Sequence, residues 1–527
     1  MSETTMDSVG VDKHPKGLYV LFGTEMWERF SFYSMLALFT LYLRDPNEGF
    51  GWTAAEATTL YANYLMFVYA SPLIGGLIAD KITGYRKAVI IGGFFFMAGH
   101  GLLSIPAIWA VYAALTCLVI GNGFFKPNVS TMVGNLYPEG SHLKDRAYNI
   151  FYMGINIGAF IAPIVMEVVK AKFGFHAAFA VAAFGMVISV GILWFFKNLV
   201  EDTQSPETSK ENATANDARQ ALMNTVPDWK RIAALCVVFA IVIVFWMVFH
   251  QNGSTLTYWA DDNTDWNVSG TISNSINAFW VVTLTFPLIW FWGFLDKRGK
   301  EPSTPTKMAI GMTLTGLSFL VLWYGATIGE SQKPTTEQLS TGAFRINERV
   351  LTNLSTQGVP KDVLDKIKDA KDADGKNLIY GVKFAPKKDE KTGQTVSGEQ
   401  QLMEAIKKVA PEQAESNKSA FMQGAFLFRV SAFWLIFAYA IVTLGELMLS
   451  PMGLSLVSKV APISKRGLLM GGWFVATAIG NKLTQIGIFW DIWLQSTFFL
   501  VLAGMALFMA VVLFFLLKPL KKAMPGV

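Results

Sequence analysis

Charge is scarce in this 527-residue chain. Asp, Glu, Lys and Arg make up 16% of it, against about 25% in typical soluble domains, while 52% is hydrophobic and 14% aromatic. The mean hydropathy is +0.37. A length that would suit roughly two to four soluble domains is therefore not filled by ordinary soluble ones. Cysteine is nearly absent. Cys117 and Cys236 both lie in apolar runs, so no disulfide framework is indicated and both read as small core residues. Despite a net charge of +5, no basic stretch interleaves with aromatics, which argues against a nucleic-acid partner. A cleavable signal peptide is also missing. Met1 to Lys16 mixes acids and bases, and the apolar run after it is too long for an h-region, so that run reads as an uncleaved first span.

What the chain has instead is long apolar runs. A helix needs about 20 mostly apolar residues to cross a bilayer, and that ruler gives spans near 18–43, 57–79, 88–107, 109–131, 147–169 and 177–197, then 231–253, 272–295, 308–328, 421–449, 467–489 and 495–517. About twelve spans in two sets of six predict an all-α membrane protein. Short loops after even-numbered spans carry Lys81, Arg86 and Lys87, Lys144 and Arg146, Lys297, Arg298 and Lys300, and Lys459, Lys465 and Arg466. The loops opposite hold few bases. Positive residues favour the cytoplasmic side, so both termini are expected there, in a cell (inner) membrane.

The expected organisation is an N-terminal six-helix bundle (1–197), a cytoplasmic linker (198–230), three helices of a second bundle (231–328), an extracytoplasmic insertion (329–420), and three last helices with a cytoplasmic tail (421–527). Segments Val363 to Ala373 and Gln400 to Val409 read as weak helices. The insertion is open to two readings, a small domain or a disordered loop. A repeat supports the two sets of six: Gly76-Leu77-Ile78-Ala79-Asp80-Lys81 after span two resembles Gly293-Phe294-Leu295-Asp296-Lys297-Arg298 after span eight. Parallel halves of this kind are a transporter plan, with the substrate site between them.

Ionisable groups within spans are costly and point to function. Glu25, Glu28 and Arg29 share one side of span one. They form either a structural ion pair or, with two acids to one base, a proton-carrying cluster. Lys126 precedes Pro127 in span four, and Glu446 stands near Pro451 in span ten. These lone opposite charges read as partners, the alternative for Lys126 being a lysine that snorkels to the interface. Tyr33, Tyr69, Asn156, Trp246, His250, Gln251, Asn277 and Trp473 would line a cavity suited to a zwitterion with two separated poles. No metal-ligand pair, nucleophile elbow or phosphate loop falls at membrane depth, so no enzyme activity and no cofactor is expected.

The run Glu25-Met26-Trp27-Glu28-Arg29-Phe30-Ser31-Phe32-Tyr33 resembles the ExxER signature of the proton-dependent oligopeptide transporters, within the major facilitator superfamily. So do Ser71 to Gly76, Phe125-Lys126-Pro127-Asn128, Phe151 to Gly158, Phe245-Trp246, Gln251 to Ser254, Glu301 to Pro305, Gly445 to Pro451 and Gly472-Trp473-Phe474. The resemblance implies two six-helix bundles with alternating access, importing di- and tripeptides with protons as the coupling ion. It assigns proton coupling to Glu25, Glu28 and Arg29. It assigns the peptide to Lys126, Glu446, Asn156 and Asn277, with Tyr33, Tyr69, Trp246, Ser450 and Trp473 around it. A working monomer in a lipid bilayer is expected. Two positions depart from the family pattern. Leu36 stands where many bacterial members carry an arginine, and His250 where an acid is common. His250 is either a neutral wall residue or a further proton-coupling site, since an unperturbed histidine titrates near pH 6.5. The same-fold alternative is transport of nitrate or another small organic anion.

Overall fold

The computed structural model describes residues 14–137, 143–200, 225–373, 375–388, 394–462 and 466–525. Residues 201–224, most of the expected linker, lie outside the described residues, as does Lys465. The first half comprises α1 (Lys16–Arg44), α2 (Ala54–Ile78), α3 (Tyr85–Leu102), α4 (Ile108–Asn135) and α5 (Leu143–Phe195). The second begins with α6 (Asp228–Phe249), a 3-10 turn His250–Gly253, α7 (Thr255–Asp262), α8 (Ser273–Asp296) and α9 (Thr304–Ser331). Six short helices follow: α10 (Thr336–Thr341), α11 (Glu348–Thr356), α12 (Lys361–Asp369), α13 (Gly398–Val409), α14 (Pro411–Ser416) and α15 (Lys418–Ala425). The chain ends with α16 (Ala432–Val460), α17 (Arg466–Leu483) and α18 (Gln495–Ala523).

Eight helices among the described residues are long and apolar enough to cross a membrane. One of them, Ile150–Phe195, has 46 residues, too many for a single crossing at 1.5 Å per residue. It turns at Gly174, whose φ of +83° is open to glycine and strained for other residues, and so supplies two crossings. Adding α1, with three charges in its middle, and α3 and α17, of 18 residues each, gives twelve. The two halves hold separate apolar cores, one built from residues between Leu18 and Val200 and one mainly from residues between Ala234 and Met524. They meet where α2 packs on α17 and α5 on α8.

Small residues set the tightest crossings, as between helices in lipid, where apolar burial supplies little attraction. A Cβ on Gly311 would stand 2.8 Å from Gly445 O, and one on Gly445 2.6 Å from Gly311 O, so α9 and α16 touch backbone to backbone.

Residues of the insertion form a third core, with Phe344, Leu354, Ile367, Leu402, Ile406 and Phe421 buried in it. Its helices α11, α12 and α13 bury one apolar side each. Of the two readings left open by the sequence, a packed unit is the one observed. Span ten also starts later than its hydropathy suggests. The apolar residues Phe421, Met422 and Ala425 belong to α15 and the insertion core, and the long helix begins at Ala432. Apolar runs facing protein and facing lipid read alike in sequence.

Candidate functional site

Glu25, Glu28 and Arg29 lie within about one turn of α1 and are 2%, 0% and 3% exposed. Arg29 forks onto Glu28, donating from Nε to one carboxylate oxygen and from Nη2 to the other at 2.6 Å. Its Nε also stands 3.2 Å from Glu25 Oε1, and its guanidinium lies 4.8 Å from the centre of the Phe32 ring. Glu25 Oε2 is buried without a hydrogen-bond partner. The burial is produced by α5. A Cβ on Gly158 would come within 2.4 Å of Met26 O and 3.1 Å of Arg29 Cβ, so only glycine lets α5 close over the cluster. One base thus serves two acids, and one carboxylate oxygen is left over.

A second group spans both halves. Lys126 Nζ stands 4.9 Å from the centre of the Tyr69 ring. Tyr69 faces His250 across the halves at 5.5 Å between ring centres, and His250 stacks on Trp246 at 4.9 Å and 21°. Neither ring nitrogen of His250, nor Trp246 Nε1, has a hydrogen-bond partner among the described residues. The α2–α4 crossing sets the Tyr69–Lys126 geometry. A Cβ on Gly75 would fall 2.0 Å from Gly123 O, the carbonyl that Pro127 leaves without its usual helical donor. Asn122 Nδ2 donates to Val68 O at 2.7 Å in the same region.

The third group is Glu446. Its carboxylate accepts from Asn277 Nδ2 at 3.0 Å, and the same amide donates to Thr443 Oγ1 at 3.0 Å. Thr443 was missed in the sequence, although it lies three residues before Glu446 and so on the same helix face. Lys126 and Glu446 are not paired with each other in this arrangement. Neither side chain makes a salt bridge among the described residues; a ring holds the lysine and an amide the acid. Asn156 Nδ2 bonds within its own helix, to Tyr152 O at 2.8 Å. Tyr33 packs edge-on against Phe32 at 5.4 Å between ring centres, and Trp473 against Phe239 at 6.3 Å. Ser450 is half-buried on α16, one turn beyond Glu446. Among the described residues, Asn156, Trp473 and Ser450 join none of the three groups through a hydrogen bond or ring contact, and Tyr33 reaches the first through Phe32. Leu36 is a buried core residue, 4% exposed.

At the end carrying the insertion the halves are stitched together. Thr40 Oγ1 donates to Gly253 O at 2.9 Å, Tyr61 Oη to His250 O at 3.3 Å, and Ala54 N to Asp491 Oδ2 at 3.2 Å, while Thr58 and Tyr258 hydroxyls lie 3.2 Å apart. No local sequence signal marks such a seam, because its bonds join residues about 190 to 440 positions apart.

The model of the POT family matches residues 86–227, 207–347 and 402–488, about two-thirds of the chain. The chain belongs to the POT family. It is a multi-pass membrane transporter with the major facilitator fold, not an enzyme. It is 27% identical to a di-/tripeptide transporter of Lactococcus lactis subsp. cremoris over 97% of each chain. It is equally similar, at 27%, to the uncharacterized transporter YclF of Bacillus subtilis (strain 168), over 98% of this chain and 96% of that one. A crystal structure of the peptide transporter POT in complex with sulfate superposes with a TM-score of 0.71 at 26% identity, covering 98% of this chain and 97% of the other. Among the described residues, no group of His, Cys, Asp and Glu is arranged to hold a metal ion.

Proposed function

We propose that this member is a proton-coupled symporter that imports di- and tripeptides by alternating access. The observation that carries this reading is the α1 cluster, where two buried acids share one arginine and Glu25 keeps an oxygen without a partner. Removing one partner of a buried pair is strongly unfavourable, by about 3–5 kcal/mol. With two acids to one base, a proton can join the cluster while the arginine stays paired. Loading and release of that proton is the coupling step.

The poles of the peptide fit the other two groups. Among the described residues Glu446 accepts from the neutral amide of Asn277, so its charge is available to the peptide ammonium. Lys126 rests against a ring and forms no salt bridge among the described residues, so its charge is available to the peptide carboxylate. Tyr33, Tyr69, Asn156, Trp246, Asn277, Ser450 and Trp473 form the wall between them. Peptide as the cargo agrees with the names of the Lactococcus lactis relative and the solved peptide transporter. On this reading the seam closed at the insertion end is the outer gate shut, with both termini on the cytoplasmic side and the insertion outside. One chain holds every group the cycle uses, so a monomer suffices.

Counterflow in proteoliposomes tests the cargo directly. Radiolabelled dialanine should exchange against unlabelled dialanine, and nitrate should not compete. Exchange driven by nitrate, with no response to dialanine, would replace the peptide reading by that of an anion carrier.

A further inference from the structure

The insertion touches both halves, and the two sets of contacts differ in kind. Toward the C-terminal half they are largely ionic. Arg345 Nη2 donates to Asp262 Oδ1 at 2.9 Å, and Lys383 Nζ reaches Asp261 Oδ2 at 2.6 Å and Asp262 Oδ1 at 3.1 Å. Asn347 Nδ2 donates to Asp491 Oδ1 at 3.3 Å, and Arg349 Nη1 to Gln495 Oε1 at 2.5 Å. The insertion is also continuous in chain with α9 and α16. Toward the N-terminal half its bonds go to backbone oxygens, from Lys376 Nζ to Pro46 O at 3.1 Å and from Asn377 Nδ2 to Gly51 O at 3.4 Å.

Asp262 joins the two sides. Arg44 of the N-terminal half approaches its Oδ2 at 3.9 Å and lies over the Tyr258 ring at 4.1 Å, with Nε and Nη2 lacking partners. Arg44 is 6% exposed and Asp262 3%. If Arg44 withdrew, Asp262 would still be held by Arg345 and Lys383, and Asp261 by Lys383. The withdrawn guanidinium would regain the hydration that burial denies it. Both acids therefore keep cations from the insertion when the seam parts, and the N-terminal side is built to let go.

We infer that the insertion is a latch on the seam: it moves with the C-terminal half and docks on residues 46–51 of the N-terminal half only when this end is closed. This rests on the alternating-access reading above. Opening must separate Thr40 from Gly253 and Ala54 from Asp491. Both chain ends of the insertion lie in the C-terminal half, so the contact at residues 46–51 is the one that has to break. Each bond at that contact holds the closed arrangement and shifts the balance between the two arrangements when removed.

Two experiments test the latch, in protein carrying Cys117→Ala and Cys236→Ala. A Cβ on Gly51 would stand 3.8 Å from Lys376 Cβ, a spacing typical of disulfides, about 3.8 Å. Gly51 has a φ of +62°, so Gly51→Cys alone is the control for backbone strain. Oxidised Gly51→Cys/Lys376→Cys should lose driven dialanine uptake at least about tenfold and regain it with reductant. The second experiment uses no substrate, so it stands even if the cargo is not a peptide. Thr58, fully buried at the seam, is replaced by Cys and labelled with a polar thiol reagent in detergent. Adding Lys376→Ala and Asn377→Ala should speed labelling about five- to tenfold, the effect of losing one or two modest hydrogen bonds. Equal uptake before and after reduction in the cross-linked protein, or an unchanged labelling rate, would overturn the latch.

Discussion

The two buried acid sites answer the same problem in opposite ways. In the N-terminal half, Glu25 and Glu28 carry their countercharge with them, in Arg29 on the same helix face. In the C-terminal half, Glu446 has only an amide from Asn277, itself shared with Thr443. The first site is close to complete without a ligand, with one carboxylate oxygen to spare. The second is complete only in hydrogen bonding, not in charge. A site that supplies its own cation suits a small ion that comes and goes, the proton. A site that lacks one suits a cargo that brings it, a peptide ammonium.

The sharpest way to break this contrast is to remove the internal cation. Arg29→Ala leaves two buried acids without a base and should destabilise the protein by about 3–5 kcal/mol, seen as a large drop in melting temperature in detergent. Glu446→Gln can keep the bond from Asn277 and should melt close to the parent. Similar losses in both would show that the two acids are held alike.

Glu446→Gln should act on binding instead. Loss of the charge should weaken affinity for dialanine about 10- to 100-fold, the span of a charged hydrogen bond worth about 1.5–3 kcal/mol. An N-acetylated dipeptide, which has no ammonium, should bind parent and variant equally. A parallel loss for both ligands would remove the ammonium from this site. Thr443→Val takes away only the outer support of Asn277 and should raise KM for dialanine about two- to fivefold with kcat unchanged. The smallest effect is expected at His250, whose ring nitrogens have no partner. If it is linked to protons, His250→Gln should shift the acidic limb of driven uptake while leaving counterflow affinity intact. Superimposable profiles would make it cavity wall, stacked on Trp246 and facing Tyr69.

The fold and the α1 cluster were largely legible in the sequence, because both rest on short-range regularities. Apolar runs of bilayer length mark the spans, and spacings of three and four place Glu25, Glu28 and Arg29 together. The Gly445 and Gly158 segments stood out as motifs, though not as the backbone contacts they make. What the sequence did not show depends on distant partners. Lys126 and Glu446 read as a pair because one is the lone base and the other the lone acid of its span, and the sequence could not show that Tyr69 and Asn277, from other helices, take those contacts in this arrangement. Phe421 and Met422 read as the start of a span because hydropathy does not distinguish lipid from the inside of a small domain. The seam is hidden for the same reason, and so is Asp262, whose cations come from α1 and from the insertion.

Driven uptake by Glu28→Gln is the most direct test of proton-coupled symport. In proteoliposomes with an inward proton gradient, the parent should concentrate radiolabelled dialanine. The variant should fail to do so while still exchanging dialanine in counterflow, a process that needs no net proton movement. A Glu28→Gln protein that concentrates dialanine as the parent does would contradict the assignment of coupling to the α1 cluster.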